Sequence, residues 1–146
     1  MEPAVLEEKQ LDLWNYGLSI SDKGDLFSPY TIKGSQFRQP LIEFSAACAG
    51  CGETPYAKLL TQLFGDRVYW ANATGCSQAW GSPMPGIPYT TNKRGFGPAW
   101  TNSLFENNAE LALGMFLSVK QQRLSQKTLV EAYAADTNSE AAKKWL

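Results

Sequence analysis

The 146-residue chain contains no histidine, and it contains only three cysteines. Without histidine, neither a Ser-His-Asp triad nor a Cys-His nucleophile pair can be built from these residues, which excludes the commonest hydrolase sites. An odd number of cysteines also argues against a self-contained disulfide framework. Such cysteines are more typical of metal ligands or redox centres in a reducing compartment.

The sequence also lacks an excess of charge of either sign and a long hydrophobic run. Its formal net charge is −1, and no long basic run offers a binding surface for nucleic acid or for an anionic membrane. No apolar stretch approaches the roughly 20 residues of a membrane-spanning helix, and the acidic start MEPAVLEEKQ lacks the regions of a signal peptide. We therefore expect a soluble cytoplasmic protein that binds neither nucleic acid nor membrane.

The centre of the chain has the pattern of a strand, a loop, a helix and a second strand. Residues 40–44 form a short apolar run that predicts a buried strand, and residues 67–73 are β-branched and aromatic enough for another. Between them, Thr54 and Pro55 predict the start of a helix whose apolar residues keep helical spacing until Gly65. Such a unit places both strands in parallel, so the loops after them open at the same edge of the sheet.

The flanking segments carry weaker patterns. Residues 1–39 mix charges with turn signals and predict an irregular arm. Residues 80–99 are rich in Gly and Pro and predict a long loop, and its aromatic residues favour an ordered loop over a disordered one. Ser103 and Glu106 form a capping box that predicts a helix from about 103 to 123, followed by a helical tail.

The cysteines lie in the two loops that follow the predicted strands. Cys48 and Cys51 follow the first strand and Cys76 follows the second, so Cys76 can face the other two. The C-x-x-C spacing suits a thioredoxin-like dithiol, an iron–sulfur cluster or small buried thiols with no metal. A zinc site is awkward because three thiolates without histidine would need a carboxylate as fourth ligand. Spacing alone leaves these alternatives open.

Three strings in the central part of the chain carry a specific resemblance. They are GSQFRQPLIEFSAACAGCGETPYAKLLTQLFGDR, ANATGCSQAWG and PYTTNKRGFGPAWTNSLFENNAE, in this order. Together they resemble the thiamine-diphosphate-binding domain of pyruvate:ferredoxin (flavodoxin) oxidoreductase, from about Lys33 to Val119. The arm before them resembles the connector from the ferredoxin-like domain of that family.

The resemblance implies an α/β fold, the N-terminal part of a thiamine-diphosphate-binding domain, with a parallel sheet flanked by helices and an irregular N-terminal arm. We expect residues 1–33 to connect from a preceding domain and residues 34–124 to form a partial thiamine-diphosphate/[4Fe–4S]-binding domain. Residues 125–146 are expected to form a helical, truncated tail.

The resemblance also implies a reaction and its participants. Members of the family oxidatively decarboxylate pyruvate to acetyl-CoA and CO2 and pass the electrons through [4Fe–4S] clusters to ferredoxin or flavodoxin. Carried over by residue, Cys48, Cys51 and Cys76 match three ligands of the cluster nearest the thiamine, and Glu53 and Cys76 lie against thiamine diphosphate. The implied partners are the remaining domains of the same enzyme, pyruvate, coenzyme A, ferredoxin or flavodoxin, and further copies in a homo-oligomer.

Parts of the family's machinery have no counterpart in this chain. The Gly-Asp-Gly motif that holds the Mg²⁺ of thiamine diphosphate does not occur, and the family supplies the fourth cluster cysteine and the pyrimidine-activating carboxylate from other regions. Ala46 and Asn107 also stand where the family usually has glycine and aspartate. We therefore expect a segment of a larger oxidoreductase that is inactive alone. The alternative is an inactive partial module that binds metal or partner chains without turnover.

Overall fold

The computed structural model describes residues 4–21, 23–81, 86–137 and 139–145. Within these ranges one turn of 3₁₀ helix, Ala4–Glu7, precedes six α-helices and two strands. In chain order they are α1 Glu8–Ser19, α2 Ile32–Ser35, α3 Thr54–Phe64, β1 Tyr69–Ala73, α4 Cys76–Gly81, β2 Ala99–Ser103, α5 Asn108–Thr137 and α6 Glu140–Trp145. None of the helices in the described ranges is both long and apolar enough to cross a membrane.

The two strands form a parallel sheet, as an α/β protein requires. Tyr69 of β1 pairs with Ala99 of β2, and the register continues along both strands. Because side chains alternate between the two faces of a strand, Trp70 and Thr101 lie on opposite faces. Trp70 packs against the buried core, whereas the Thr101 hydroxyl lies 3.8 Å from the Met115 sulfur of α5. The sheet is thus covered by α5 on one face and by the core on the other.

The core lies where α3, α4 and the segment before α3 meet. Ile42, Ala57 and Trp80 form its buried centre, and Trp70 and Tyr89 are among the residues packed against it. α3 has the position that its apolar spacing predicts, and it ends at Gly65, whose N–H donates to the Thr61 carbonyl at 2.9 Å. The buried hydroxyl of Thr61 in turn accepts the N–H of Leu41 at 3.1 Å, which fixes the chain before the cysteine loop.

The predicted partner of the strand at 67–73 is wrong. Residues 40–44 form no strand, and Ile42 makes only an isolated antiparallel bridge with Tyr89. The Gly/Pro-rich loop folds back onto this segment, where Glu43 N–H donates to Pro88 at 2.9 Å and Thr90 N–H donates to Leu41 at 3.1 Å. Because the loop takes up these backbone groups, β1 pairs instead with β2, which the sequence analysis assigned to the loop and the following helix. Residues 82–85 of that loop lie outside the described residues.

Two further predictions of local structure are wrong. Residues 8–19 form helix α1 instead of part of an irregular arm. α5 begins at Asn108 instead of 103, because Ser103 belongs to β2 and its hydroxyl accepts the N–H of Asn107 at 3.1 Å. Glu106, at φ 58°, has a left-handed backbone that no right-handed helix accommodates. α5 continues unbroken past residue 124, the predicted end of the cofactor-binding domain. The domain boundaries stay predictions.

Candidate functional site

All three cysteines line one cavity beyond the carboxyl end of β1. The cavity has a volume of about 490 Å³, and its other lining residues are apolar: Ala46, Ala47, Ala79 and Trp80. The thiols are free; Cys48 and Cys76 are exposed and Cys51 is half-buried. The structure therefore brings together the side chains that the sequence analysis assigned to two facing loops.

A tight turn sets the spacing of Cys48 and Cys51. The N–H of Cys51 donates to the Cys48 carbonyl at 3.0 Å, and Gly50 has a φ of +76°. A positive φ at the third residue is what a type II turn requires, and glycine adopts it without a steric penalty. The turn closes just before α3, where the Thr54 hydroxyl donates to the Cys51 carbonyl at 3.4 Å.

Cys76 reaches the cavity from the other loop. It is the first residue of α4 and follows β1 by three positions. Ala79 and Trp80 lie three and four residues further along α4, so they share a helical face with Cys76. All three line the cavity, which means that the orientation of α4 decides where the Cys76 thiol lies.

Glu53, the other residue assigned to the cofactor, lies apart from the thiols. It precedes α3 at the N-cap position, and its carbonyl accepts the N–H groups of Tyr56 and Ala57 at 3.1 and 3.2 Å. Its side chain is exposed and lies outside the lining of the cysteine cavity. The chain thus offers a carboxylate near the thiols in sequence but not within their cavity.

The donor atoms at the cavity are thiols, the kind of ligand that iron–sulfur clusters select. Among the described residues, no group of three or more Cys, Asp or Glu side chains is placed to hold a metal ion. A [4Fe–4S] cluster is bound by thiolates on separate irons, so its ligands surround a volume instead of converging on one point. The three thiols line one cavity, and a cluster bound there would need a fourth ligand from elsewhere.

Aromatic side chains lie in the cavity wall and in the core next to it, and the sequence patterns gave them no site role. Trp80 forms a wall of the cavity and is only 6% exposed. Tyr89 stacks on Trp70 with ring centroids 6.1 Å apart, and burial raises the pKa of the Tyr89 phenol to about 12. The helical spacing of four residues between Cys76 and Trp80 is the sequence signal that could have identified this wall.

A second, larger groove runs along α5 from the carboxyl end of β2. Its volume is about 900 Å³. Asn102, Ser103 and Glu110 are among the polar residues at one end, and Gly114 and Met115 are among those that continue it along the helix. The hydroxyl of Thr74, before Cys76, donates to the Leu104 carbonyl at 3.5 Å, which links the loops after the two strands.

The chain is similar to segments of much longer oxidoreductases, although no protein-family model matches it. The pyruvate-flavodoxin oxidoreductase of Enterobacter agglomerans is 58% identical over 132 residues, which cover 90% of this chain and 11% of that protein. That of Klebsiella pneumoniae is 55% identical over an alignment of 150 residues, covering 100% of this chain and 13% of that protein. The pyruvate:ferredoxin oxidoreductase of Moorella thermoacetica is 52% identical over 137 residues, covering 91% and 12%. The chain therefore spans 11% to 13% of the length of these relatives.

Proposed function

This chain corresponds to one segment of the pyruvate-flavodoxin and pyruvate:ferredoxin oxidoreductases, and from that premise we propose that it holds a [4Fe–4S] cluster beside thiamine diphosphate in such an enzyme. The whole enzyme oxidatively decarboxylates pyruvate to acetyl-CoA and CO2 and passes the electrons to ferredoxin or flavodoxin. Residues 34–124 are the proposed cofactor-binding part, in a partial thiamine-diphosphate-binding fold.

One observation carries the proposal: every cysteine of the chain lines the same apolar cavity. A thioredoxin-like dithiol would use only Cys48 and Cys51 and would leave Cys76 without a role. A structural zinc site needs four ligands, and Glu53, the carboxylate nearest to the cysteines in sequence, lies outside the lining of their cavity. Thiolates are the ligands that iron–sulfur clusters select, and a cluster uses all three.

The residues of the chain have distinct roles in this proposal. Cys48, Cys51 and Cys76, as thiolates, would each hold one iron, and the alanines and Trp80 that line the cavity would form the apolar side of the site. Glu53 and Cys76 contact the thiamine side of the site. When bound, thiamine diphosphate supplies the carbanion chemistry of decarboxylation and the cluster supplies a one-electron acceptor. The Mg²⁺ ligands and the fourth cluster ligand belong to other parts of the enzyme.

Cluster binding is testable with the 146-residue chain itself. We expect anaerobic incubation with iron, sulfide and a small thiol as the fourth ligand to give about four irons and four sulfides per chain, with the EPR signal of a reduced [4Fe–4S] cluster. Cys48→Ser, Cys51→Ser and Cys76→Ser should each reduce the iron bound, because each removes one ligand. Ser77→Ala, next to Cys76, is the matched control and should leave it unchanged. Cysteine variants that bind as much iron as the unsubstituted chain would contradict the assignment.

A chimeric enzyme separates the active segment from the inactive-module alternative. Residues 33–119 would replace the matching segment of the Klebsiella pneumoniae pyruvate-flavodoxin oxidoreductase, and pyruvate-dependent reduction of a viologen dye would be measured. We expect turnover in the chimera, its loss in Cys76→Ser and its retention in Ser77→Ala. A chimera that binds the cluster without turnover would favour the alternative, a partial module that binds metal or partner chains.

A further inference from the structure

Trp80 contacts the supports of both cysteine loops, and we propose that it is the positioning residue of the site. In this role it fixes Cys76 relative to Cys48 and Cys51 and closes one wall of their cavity to water. The inference deepens the proposed cluster-binding function and rests on it. Neither the family resemblance nor the spacing of the cysteines assigns such a role to this residue.

Trp80 lies on the same short helix, α4, as Cys76. It lies four residues after Cys76, so the indole and the thiol project from the same face of a six-residue helix. A helix this short has little stability of its own. The packing of its one large buried side chain therefore decides how α4, and with it Cys76, is oriented.

The indole of Trp80 packs in the buried core. Trp80 forms a buried cluster with Ile42 and Ala57. Ile42 precedes the loop of Cys48 and Cys51, and Ala57 follows it in the first turns of α3. The ring therefore touches the chain on both sides of that loop, and through it the two cysteine loops share one rigid support.

Trp80 also forms part of the wall of the cysteine cavity. Apart from the cysteines, only alanines and Trp80 line the cavity, so the indole is the one large apolar side chain in its wall. A tryptophan-to-alanine change would leave a space that surrounding alanines are too small to fill. Water in that space would stabilise the more negatively charged, reduced state of a bound cluster, which raises its potential.

The hydrogen bonding of the indole N–H makes Trp80→Phe a conservative variant. Its nitrogen is buried and has no hydrogen-bond partner among the described residues, so Trp80→Phe removes no protein hydrogen bond and keeps an aromatic ring in place. Trp80→Ala removes the ring. Trp145→Ala, at a position 58% exposed in α6, makes the same chemical change away from the site and serves as the matched control.

The experiment uses the reconstituted 146-residue chain and measures the rate of cluster loss and the reduction potential. We expect Trp80→Ala to lose its cluster about 10 to 100 times faster than the unsubstituted chain, the range seen for residues that orient metal ligands, and to have a higher potential. Trp80→Phe and Trp145→Ala should stay close to the unsubstituted chain. Loss rates and potentials in Trp80→Ala that equal those of the unsubstituted chain would overturn the proposal.

A second measurement needs no cluster and therefore distinguishes failure of the positioning role from failure of the proposed function. In a Cys48→Ser background, a short bifunctional maleimide is expected to bridge Cys51 and Cys76, at a rate that falls in Trp80→Ala and is retained in Trp80→Phe. Equal bridging in the two variants contradicts the positioning role. If far-UV circular dichroism shows that Trp80→Ala does not fold, Trp80→Leu replaces it, and Trp80→Leu bridging as fast as Trp80→Phe overturns the proposal.

Discussion

Gly50 is the residue between Cys48 and Cys51 whose backbone is left-handed, at φ +76°. We expect Gly50→Ala to destabilise the chain by about 1–2 kcal/mol, because an L-residue in this conformation brings its Cβ against a carbonyl oxygen. The space around Gly50 is open, so the effect comes from the backbone and not from a clash. Denaturant unfolding of the cluster-free chain measures it.

Gly52 provides the control for this prediction. It lies in the same loop, its surroundings are equally open, and its φ is outside the left-handed range. Gly52→Ala should therefore change the free energy of unfolding by no more than about 0.5 kcal/mol. Equal effects of the two substitutions would show that the Gly50 conformation does not hold the turn.

Tyr89 is the residue through which alkaline pH should act on stability. Burial raises its pKa from 10.0 to about 12. Between these values the folded chain keeps a proton that the unfolded chain has lost, so the free energy of unfolding falls as pH rises from about 10 to 12. Urea unfolding across this range should show the fall in the unsubstituted chain and a smaller one in Tyr89→Phe. The same slope in both would contradict the assignment.

At the scale of elements, α1 and α5 differ in how they join the rest of the fold. α1 has no buried residue, whereas α5 packs across both strands. Each contains a glycine with open space around it, Gly17 and Gly114. Replacing a helical glycine by alanine favours the helix by about 1 kcal/mol. We expect Gly114→Ala to raise the main unfolding temperature by about 2–4 °C and Gly17→Ala to raise only the helix content.

Calorimetry and far-UV circular dichroism distinguish the two outcomes. An equal rise in unfolding temperature for Gly17→Ala would mean that α1 unfolds together with the sheet. No rise for Gly114→Ala would mean that α5 is not part of the cooperative unit.

The elements that the sequence could predict are those set by local patterns. α3 has apolar residues at helical spacing, an early proline and Gly65 at its end, all within 12 residues. The pairing of β1 depended on information far along the chain. The sequence predicted residues 40–44 as the partner, but Pro88 and Thr90 bond to that segment, and β1 pairs with residues 99–103. The strand propensities of the individual segments do not show which of them pairs with β1.

The site was predictable to a similar degree. The prediction that Cys76 faces the C-x-x-C loop required only that each cysteine loop follow the carboxyl end of its supporting segment. It therefore did not depend on which segment pairs with β1. The wall formed by Trp80 was not predicted, because Trp80 was assigned to the long loop and not to α4. Once a residue is placed on a helix, its neighbours at three and four positions follow.

At the scale of the whole molecule, the chain exposes far more surface than a self-contained globule of its size. Its accessible surface is 11050 Å², whereas a compact monomer of 16.1 kDa exposes about 7,400 Å² by the usual size relation. Large apolar side chains contribute to the difference, among them Tyr16, Phe116 and Leu129. Exposed apolar surface of this extent favours association.

We therefore expect residues 1–146 alone to self-associate, to bind a hydrophobic dye, and to show no pyruvate-dependent reduction of viologen. The last follows because the Gly-Asp-Gly motif is not in this sequence and the three cysteines would supply only three of the four ligands of the proposed cluster. Sedimentation analysis and the dye assay measure the outcome. A monodisperse, dye-free monomer, or robust activity from these residues alone, would contradict the expectation.

The register of the sheet also bears on the order in which its two strands are synthesised. Tyr69 and Ala99 are paired but lie thirty residues apart along the chain. At a synthesis rate of roughly 5–20 residues per second, β2 leaves the ribosome about 1.5 to 6 seconds after β1. All three thiols are translated before β2, so iron delivered during that interval meets cysteines whose supporting sheet does not yet exist. If the three thiols bind the proposed cluster, we expect stable binding only after β2 has been synthesised, although all three cysteines are synthesised earlier.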